Sequence, residues 1–270
     1  MGGAIVARAI ALSATLAAAV LGTVSAQTQP GEPYVASIPF ETNGVEIRSG
    51  EPLHLTLSLN RTEQVASRYA HSTVLVEDVR AGAIDLVVDG QDRFTSAPLP
   101  HHSEASFVID FDEPELTRLD ARAKALDPAS DTPPAVTELA RLVFEALPEK
   151  TYERGFDIAS QAARAGAGDC TEHSVLLAAL SRAQGLPSRV VFGALIVAEA
   201  NAAYGHAWNE VFVHGEWQLV DATLLDTEEG ATLFYVPLAT FDNEGPGYTM
   251  GLFDSLGSLP SKISVRPAQR

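Results

Sequence analysis

Gly205-His206-Ala207-Trp208-Asn209-Glu210-Val211-Phe212-Val213-His214-Gly215-Glu216-Trp217-Gln218-Leu219-Val220-Asp221-Ala222-Thr223 reads as two extended runs separated by the dipeptide His214-Gly215. A two-residue turn at that point makes a β-hairpin. In the register such a turn imposes, Val213 faces Glu216, Trp208 faces Asp221 and His206 faces Thr223. His206 and Asp221 are then diagonal neighbours on one sheet face, roughly 7–8 Å apart, which an imidazole and a carboxylate close with a hydrogen bond. A four-residue loop in the same register leaves this unchanged, whereas a slip by one residue sends the two side chains to opposite faces. The β-branched run Arg189 to Val197 supplies a further strand upstream.

Ahead of these strands lies a helix signature. Asp169 is a good N-cap, Glu172 three residues on completes a capping box, Leu176, Leu177 and Leu180 follow at helical spacing, and Gly185 and Pro187 end the helix. Cys170 falls in the first turn, where unpaired N–H groups and the positive dipole end favour the thiolate. With the helix terminus and a nearby imidazole acting together, the thiol is expected to titrate below its free value of about 8.5. A nucleophile at a helix start and a His with an Asp on a sheet face are the parts of a nucleophilic triad. The plainer reading makes Cys170 a small buried hydrophobe, His206 an interior residue and Asp221 a turn or edge residue. His173 competes as base, since positions i and i+3 share a helix face. It ranks second because a side chain in the same turn has little freedom to reach both thiol and leaving group.

The 18 Lys+Arg against 35 Asp+Glu give a net charge of −17, which disfavours nucleic acid and anionic membrane as partners. With 46% hydrophobic and 20% charged residues the chain can bury a sizeable core and is not globally disordered. Met1 to Ala26, with Arg8, the apolar run Ala9 to Gly22 and the small-residue end Val24-Ser25-Ala26, has the pattern of a cleaved secretory signal, 1–26. The run is too short to span a bilayer. An exported, periplasmic or secreted product beginning near Gln27 is expected, with no membrane insertion after cleavage. The single cysteine can form no internal disulfide. In an oxidising compartment a lone thiol is a liability unless it is used or buried.

The runs Leu53 to Leu59, Thr73 to Val76, Ile84 to Val88 and Ser106 to Phe111 suggest a small antiparallel sheet or sandwich, a β-rich N-terminal domain over 27–112. The charged, Pro-rich segment 113–133 reads as a linker, and 134–270 as the catalytic domain. After the linker Val136, Leu139, Ala140, Val143 and Leu147 form a helical stripe, with Thr132 as its cap and Pro133 at its first position. His101-His102 is a poor metal site if extended, since neighbouring side chains then point to opposite faces. Asn60-Arg61-Thr62 matches a glycosylation acceptor and reads as a surface turn.

Four blocks in order, Gly168-Asp169-Cys170-Thr171-Glu172-His173, Ser181-Arg182-Ala183-Gln184-Gly185-Leu186-Pro187-Ser188-Arg189, Gly205 to Val211 and Gly215 to Thr223, resemble the transglutaminase-like superfamily. The resemblance covers about Thr132 to Thr223. It implies an α+β fold: a papain-like transglutaminase core, the Cys-bearing helix packed on an antiparallel sheet, preceded by the small β-rich domain. It implies Cys170 as nucleophile, His206 as general base and Asp221 as orienting acid. Where many members have Asp-Pro-Thr, this chain has Asp221-Ala222-Thr223, which keeps the carboxylate and alters the turn.

The Cys170 backbone N–H is a natural oxyanion donor, and Tyr152 and Trp208 are the side-chain oxyanion or cleft candidates, Trp208 being equally a packing residue. The reading is an exported cysteine-dependent amidase, peptidase or acyl transferase acting on a protein, peptide or other amide, without metal or cofactor. Hydrolysis is favoured over cross-linking because water is always present. The alternative is a non-catalytic binding module that keeps the fold. A metal protein built on Cys170 and histidines lacks paired-ligand spacing. Ala198 to Tyr204 and the tail after Leu224 carry no readable pattern.

Overall fold

The computed structural model describes residues 36–89, 93–126, 134–151, 156–226 and 231–268. The expected signal segment and the Thr132-Pro133 cap lie outside the described residues, as does Tyr152. In chain order the elements are β1 (Ala36–Ile38), β2 (Phe40–Glu41), β3 (Leu53–Ser58), α1 (Thr62–Arg68), β4 (Leu75–Arg80), β5 (Ala83–Val88), α2 (Pro114–Lys124), α3 (Val136–Ala146), α4 (Ala159–Ala165), α5 (Cys170–Ala183), β6 (Ser188–Val197), β7 (Ala202–Val213), β8 (Glu216–Val220), β9 (Leu233–Thr240), α6 (Tyr248–Leu256) and β10 (Lys262–Arg266).

The fold is α+β, built on two five-stranded sheets. The first runs β1-β7-β6-β9, with β8 on the same edge of β7 as β1; the second runs β2-β10-β3-β5-β4. Alternation decides which face of the second sheet is buried. Leu53, Leu55 and Leu57 of β3 face Val88, Leu86 and Ile84 of β5, while Val265 and Ile263 of β10 complete the row. These side chains pack on Ala194, Ile196, Phe234 and Val236 from one face of the first sheet. Further along the same strands, Val190, Phe192 and Ala207 pack with buried residues of α2 to α5.

α5 is buried from Cys170 to Arg182, the pattern of a helix surrounded on all sides. It starts and stops as its sequence dictates. Asp169 accepts from Thr171 N and Glu172 accepts from Asp169 N, while Gly185 takes φ +76 beyond the last turn.

Several expectations are corrected. The segment 113–133 does not separate two sheets, because β1 pairs with β7 of the first sheet and the C-terminal β10 lies between β2 and β3 of the second. Residues 33–270 consequently form one unit. Part of the supposed linker is α2, started by Pro114 in its first turn and buried through Leu116, Leu119 and Ala123. α3 begins after Ala135, later than the Thr132 cap implied. Ser106 to Phe111 is irregular backbone held by Val108 and Ile109 in the helix-side core, and the tail after Leu224 contains β9, α6 and β10.

Candidate active site

The hairpin has the register the sequence dictates. Val213 pairs with Glu216, Phe212 with Trp217 and Asn209 with Val220. His214 and Gly215 both have positive φ, 55° and 91°, the geometry a two-residue turn between twisted strands requires. His206 and Asp221 therefore share a face, and His206 Nε2 lies 2.7 Å from Asp221 Oδ2.

Asp221 sits in a closed donor set. Thr223 N donates to Oδ1 at 2.8 Å, and Tyr235 Oη donates to Oδ2 at 2.9 Å, the oxygen that also meets His206. Burial alone would raise this carboxyl. The facing His206, by charge and hydrogen bond, outweighs burial together with the Thr223 and Tyr235 donors, and holds it below its usual range.

Cys170 is the first residue of α5 and is fully buried. β1 pairs with β7 at residues 203–205 and β8 pairs with it at 209–213, which leaves one edge of 206–208 open between them. The Ala207 N–H on that stretch hydrogen-bonds the sulfur and favours the thiolate. Burial dominates, however, with Asp169 adding to it, and pushes the Cys170 thiol well above its usual value. This runs against the expectation of a depressed thiol: the helix terminus and a neighbouring imidazole do not offset complete desolvation.

The neighbours of Cys170 are tightly specified. A Cβ on Gly168 would meet Glu172 Cβ at 2.3 Å, so only glycine lets the chain enter the helix here. Glu172 is itself buried and accepts from Asp169 N and, at 3.1 Å, from Asp157 N. Burial, then the charge of Asp169, push its carboxyl up to about 8. Asn209 Nδ2 donates to Ser174 O at 2.9 Å and fastens β7 to α5, fixing the strand that carries His206 against the helix that carries Cys170.

His173, the competing base, donates from Nδ1 to Asp169 O at 2.7 Å, which fixes its tautomer and aims the ring along its own helix. Burial lowers its pKa. Trp208 is buried, stacks beside His206 with centroids 6.2 Å apart and meets Tyr235 edge-on at 5.1 Å. Its Nε1 has no hydrogen-bond partner among the described residues. Gly193 makes room for it, since a Cβ there would come within 2.5 Å of the indole and 2.2 Å of Val236 O.

His101 and His102 are not extended. They form a tight turn, Pro100–His102, with ring centroids 4.2 Å apart, and their ligand atoms gather with that of Asp242. His102 Nδ1 already accepts from Leu99 N at 3.1 Å, so its one free lone pair is taken. Burial, then the charges of His101, Arg189 and Arg182, lower His102 to about 3. The same positive surroundings oppose a bound cation.

Sequence reasoning missed Tyr235, the Ala207 N–H, the Asn209 clamp and Lys150, whose Nζ donates to Thr223 O at 2.5 Å beside the Asp221 turn. Asn209 and Trp208 lie in a quoted motif, so inward alternation on β7 was the available signal. Tyr235 had the alternation of β9 as its signal, interrupted by Pro237.

Residues 120–222 match the model of the transglutaminase-like superfamily. The chain carries a transglutaminase-like domain. The matched residues run from α2 to the end of the hairpin and leave β9 outside. Solved structures similar to this one include a putative cysteine protease from Cytophaga hutchinsonii, with 14% identity over 75% of this chain and 78% of that one and a TM-score of 0.42. The periplasmic domain of TgpA from Pseudomonas aeruginosa, bound to ethylmercury, shows 17% identity over 73% and 86%, with a TM-score of 0.43. Red sea bream transglutaminase shows 12% identity over 70% of this chain and 50% of its own, with a TM-score of 0.31. No curated protein matches. In this transglutaminase-like domain the Cys-bearing helix lies against the antiparallel sheet that carries His206, and among the described residues no helix is long and apolar enough to cross a membrane.

Proposed function

We propose that this chain is an exported cysteine-dependent enzyme that opens an amide bond, with Cys170 as nucleophile, His206 as acid and base, and Asp221 as the group that orients the imidazole. The observation that carries the reading is the 2.7 Å contact between His206 Nε2 and Asp221 Oδ2, on a strand clamped to the helix that begins at Cys170. With Nε2–H donated to the carboxylate, Nδ1 is the nitrogen left for proton transfer with the sulfur.

The thiolate attacks the carbonyl carbon, and the carbonyl oxygen becomes an oxyanion. The Cys170 N–H at the helix start is the backbone donor that stabilises it, with the Trp208 indole N–H and Tyr152 as the side-chain candidates the sequence offers. His206 gives its proton to the departing amine, leaving a thioester on Cys170. Water, deprotonated by His206, then releases the acid; a primary amine in its place would complete acyl transfer. Hydrolysis is the favoured outcome, because water needs no acceptor subsite. Protein, peptide or another amide is the substrate class.

The test is incubation of the mature protein with an electrophilic thiol probe and with a peptide and amide library, using Cys170→Ala as control. Cys170-dependent turnover is expected. Labelling without turnover would favour a binding module that keeps the fold, and neither labelling nor turnover would overturn the enzymatic reading.

A further inference from the structure

We infer that Tyr235 is a positioning residue of the proposed triad, acting on His206 through Asp221; the inference rests on the reading of Cys170, His206 and Asp221 as that triad. Tyr235 comes from β9, at the far edge of the sheet from the Asp221 hairpin, and lies beyond the residues that match the transglutaminase-like model. On β9 it pairs with Leu195 of β6, and its side chain spans the sheet face to place Oη 2.9 Å from Asp221 Oδ2. Its ring packs edge-on against Trp208 and tilts over His206 at 6.3 Å, so the phenol arrives on a fixed trajectory.

The chemistry of the shared oxygen defines the role. A carboxylate oxygen can accept from two donors, and each takes a share of its charge. With Thr223 N on Oδ1 and Tyr235 on Oδ2, the carboxylate cannot rotate and presents to the imidazole a charge already partly neutralised. Removing the phenol leaves the full charge on His206, stabilises the imidazolium and frees the carboxylate to turn. Tyr235 also lines a cleft of about 330 Å³ with Phe94, Trp217, Leu233 and Pro237, so this second donor is set in the wall of a surface cleft.

Tyr235→Phe keeps the ring and deletes the donor. With the amide substrate found in the library screen, kcat is expected to fall about tenfold at unchanged KM, and the basic limb of the kcat profile to move up by about one pH unit. In the Asp221→Asn background the same substitution is expected to change kcat by less than about twofold, because the group it acts through is gone. Unchanged kcat and pH profile in Tyr235→Phe, or effects that multiply in the double variant, would overturn the inference while leaving the triad intact. Should Tyr235→Phe fold poorly, its thermal midpoint and Tyr235→Trp, which returns an N–H donor and the aromatic packing, separate the cases: restored kcat supports positioning, and loss tracking the midpoint overturns it. A wild-type chain without Cys170-dependent turnover overturns the triad and this inference together.

Discussion

His206 Nε2 and Asp221 Oδ2 lie 2.7 Å apart across the hairpin, on side chains offset diagonally by the register that Val213 and Glu216 begin. Replacing the acid by its amide would keep the shape and reverse one set of hydrogen bonds. Asp221→Asn is expected to lower kcat about a hundred- to ten-thousand-fold with little change in KM, whereas Cys170→Ala abolishes turnover and Cys170→Ser nearly does so. Steady-state kinetics on the three variants check the ranking. An asparagine variant of wild-type activity would remove Asp221 from the triad.

The buried thiol makes the second prediction. Because desolvation holds Cys170 above its usual pKa, alkylation by a small neutral reagent should be slow at neutral pH and rise with an inflection above about 8.5. Ionisation then depends on opening the site to solvent or substrate. An inflection well below that value would show the thiolate to be the resting form.

Glu172 sets a pH dependence of stability. Its folded-state pKa of about 8 lies above the ordinary 4.5, so the folded chain holds a proton that the unfolded chain releases. Stability from this group is present below about 4.5 and is lost as pH rises through about 8, with a slope of at most about 1.4 kcal/mol per pH unit. Glu172→Gln, which imitates the protonated form, should flatten that slope. Urea unfolding from pH 5 to 9 measures it, and identical slopes in the two proteins would refute the assignment.

Arg182 and Glu244 form a buried pair at 2.7 Å, with the guanidinium also donating to Ser188 O and Glu104 O. The pair ties the end of α5 to the start of β6 and to the loop after β9. Glu244→Gln leaves the arginine charge buried without its counter-charge and should cost about 3–5 kcal/mol in denaturant unfolding. A loss under about 1 kcal/mol would mean the charge relaxes into water.

What the sequence disclosed depended on how local the rule was. The hairpin register followed from His214-Gly215, a dipeptide that tolerates positive φ, and the start of α5 from Asp169 and Glu172, whose bonds close within one turn. Long-range features were not legible. Pro114 and the charges after it disguised α2 as a linker, because the pattern did not reveal which side of that segment meets α4 and α5. Pro237 interrupts β9 and hid the strand that delivers Tyr235. The pKa of Cys170 could not be foreseen, since the helix terminus is written in the sequence and complete burial is a property of the assembled layers.

The place of β10 between β2 and β3 ties the first part of the chain to the last in time as well as in space. β3, β4 and β5 leave the ribosome early with one edge of β3 bare, and the strand that covers it is synthesised only after α5 and every strand of the first sheet. Until then that edge is open to pairing with other chains. Such late closure predicts slow folding governed by distant contacts, and a need for protection of the nascent N-terminal sheet that a chain with its strands in sequential order would not have.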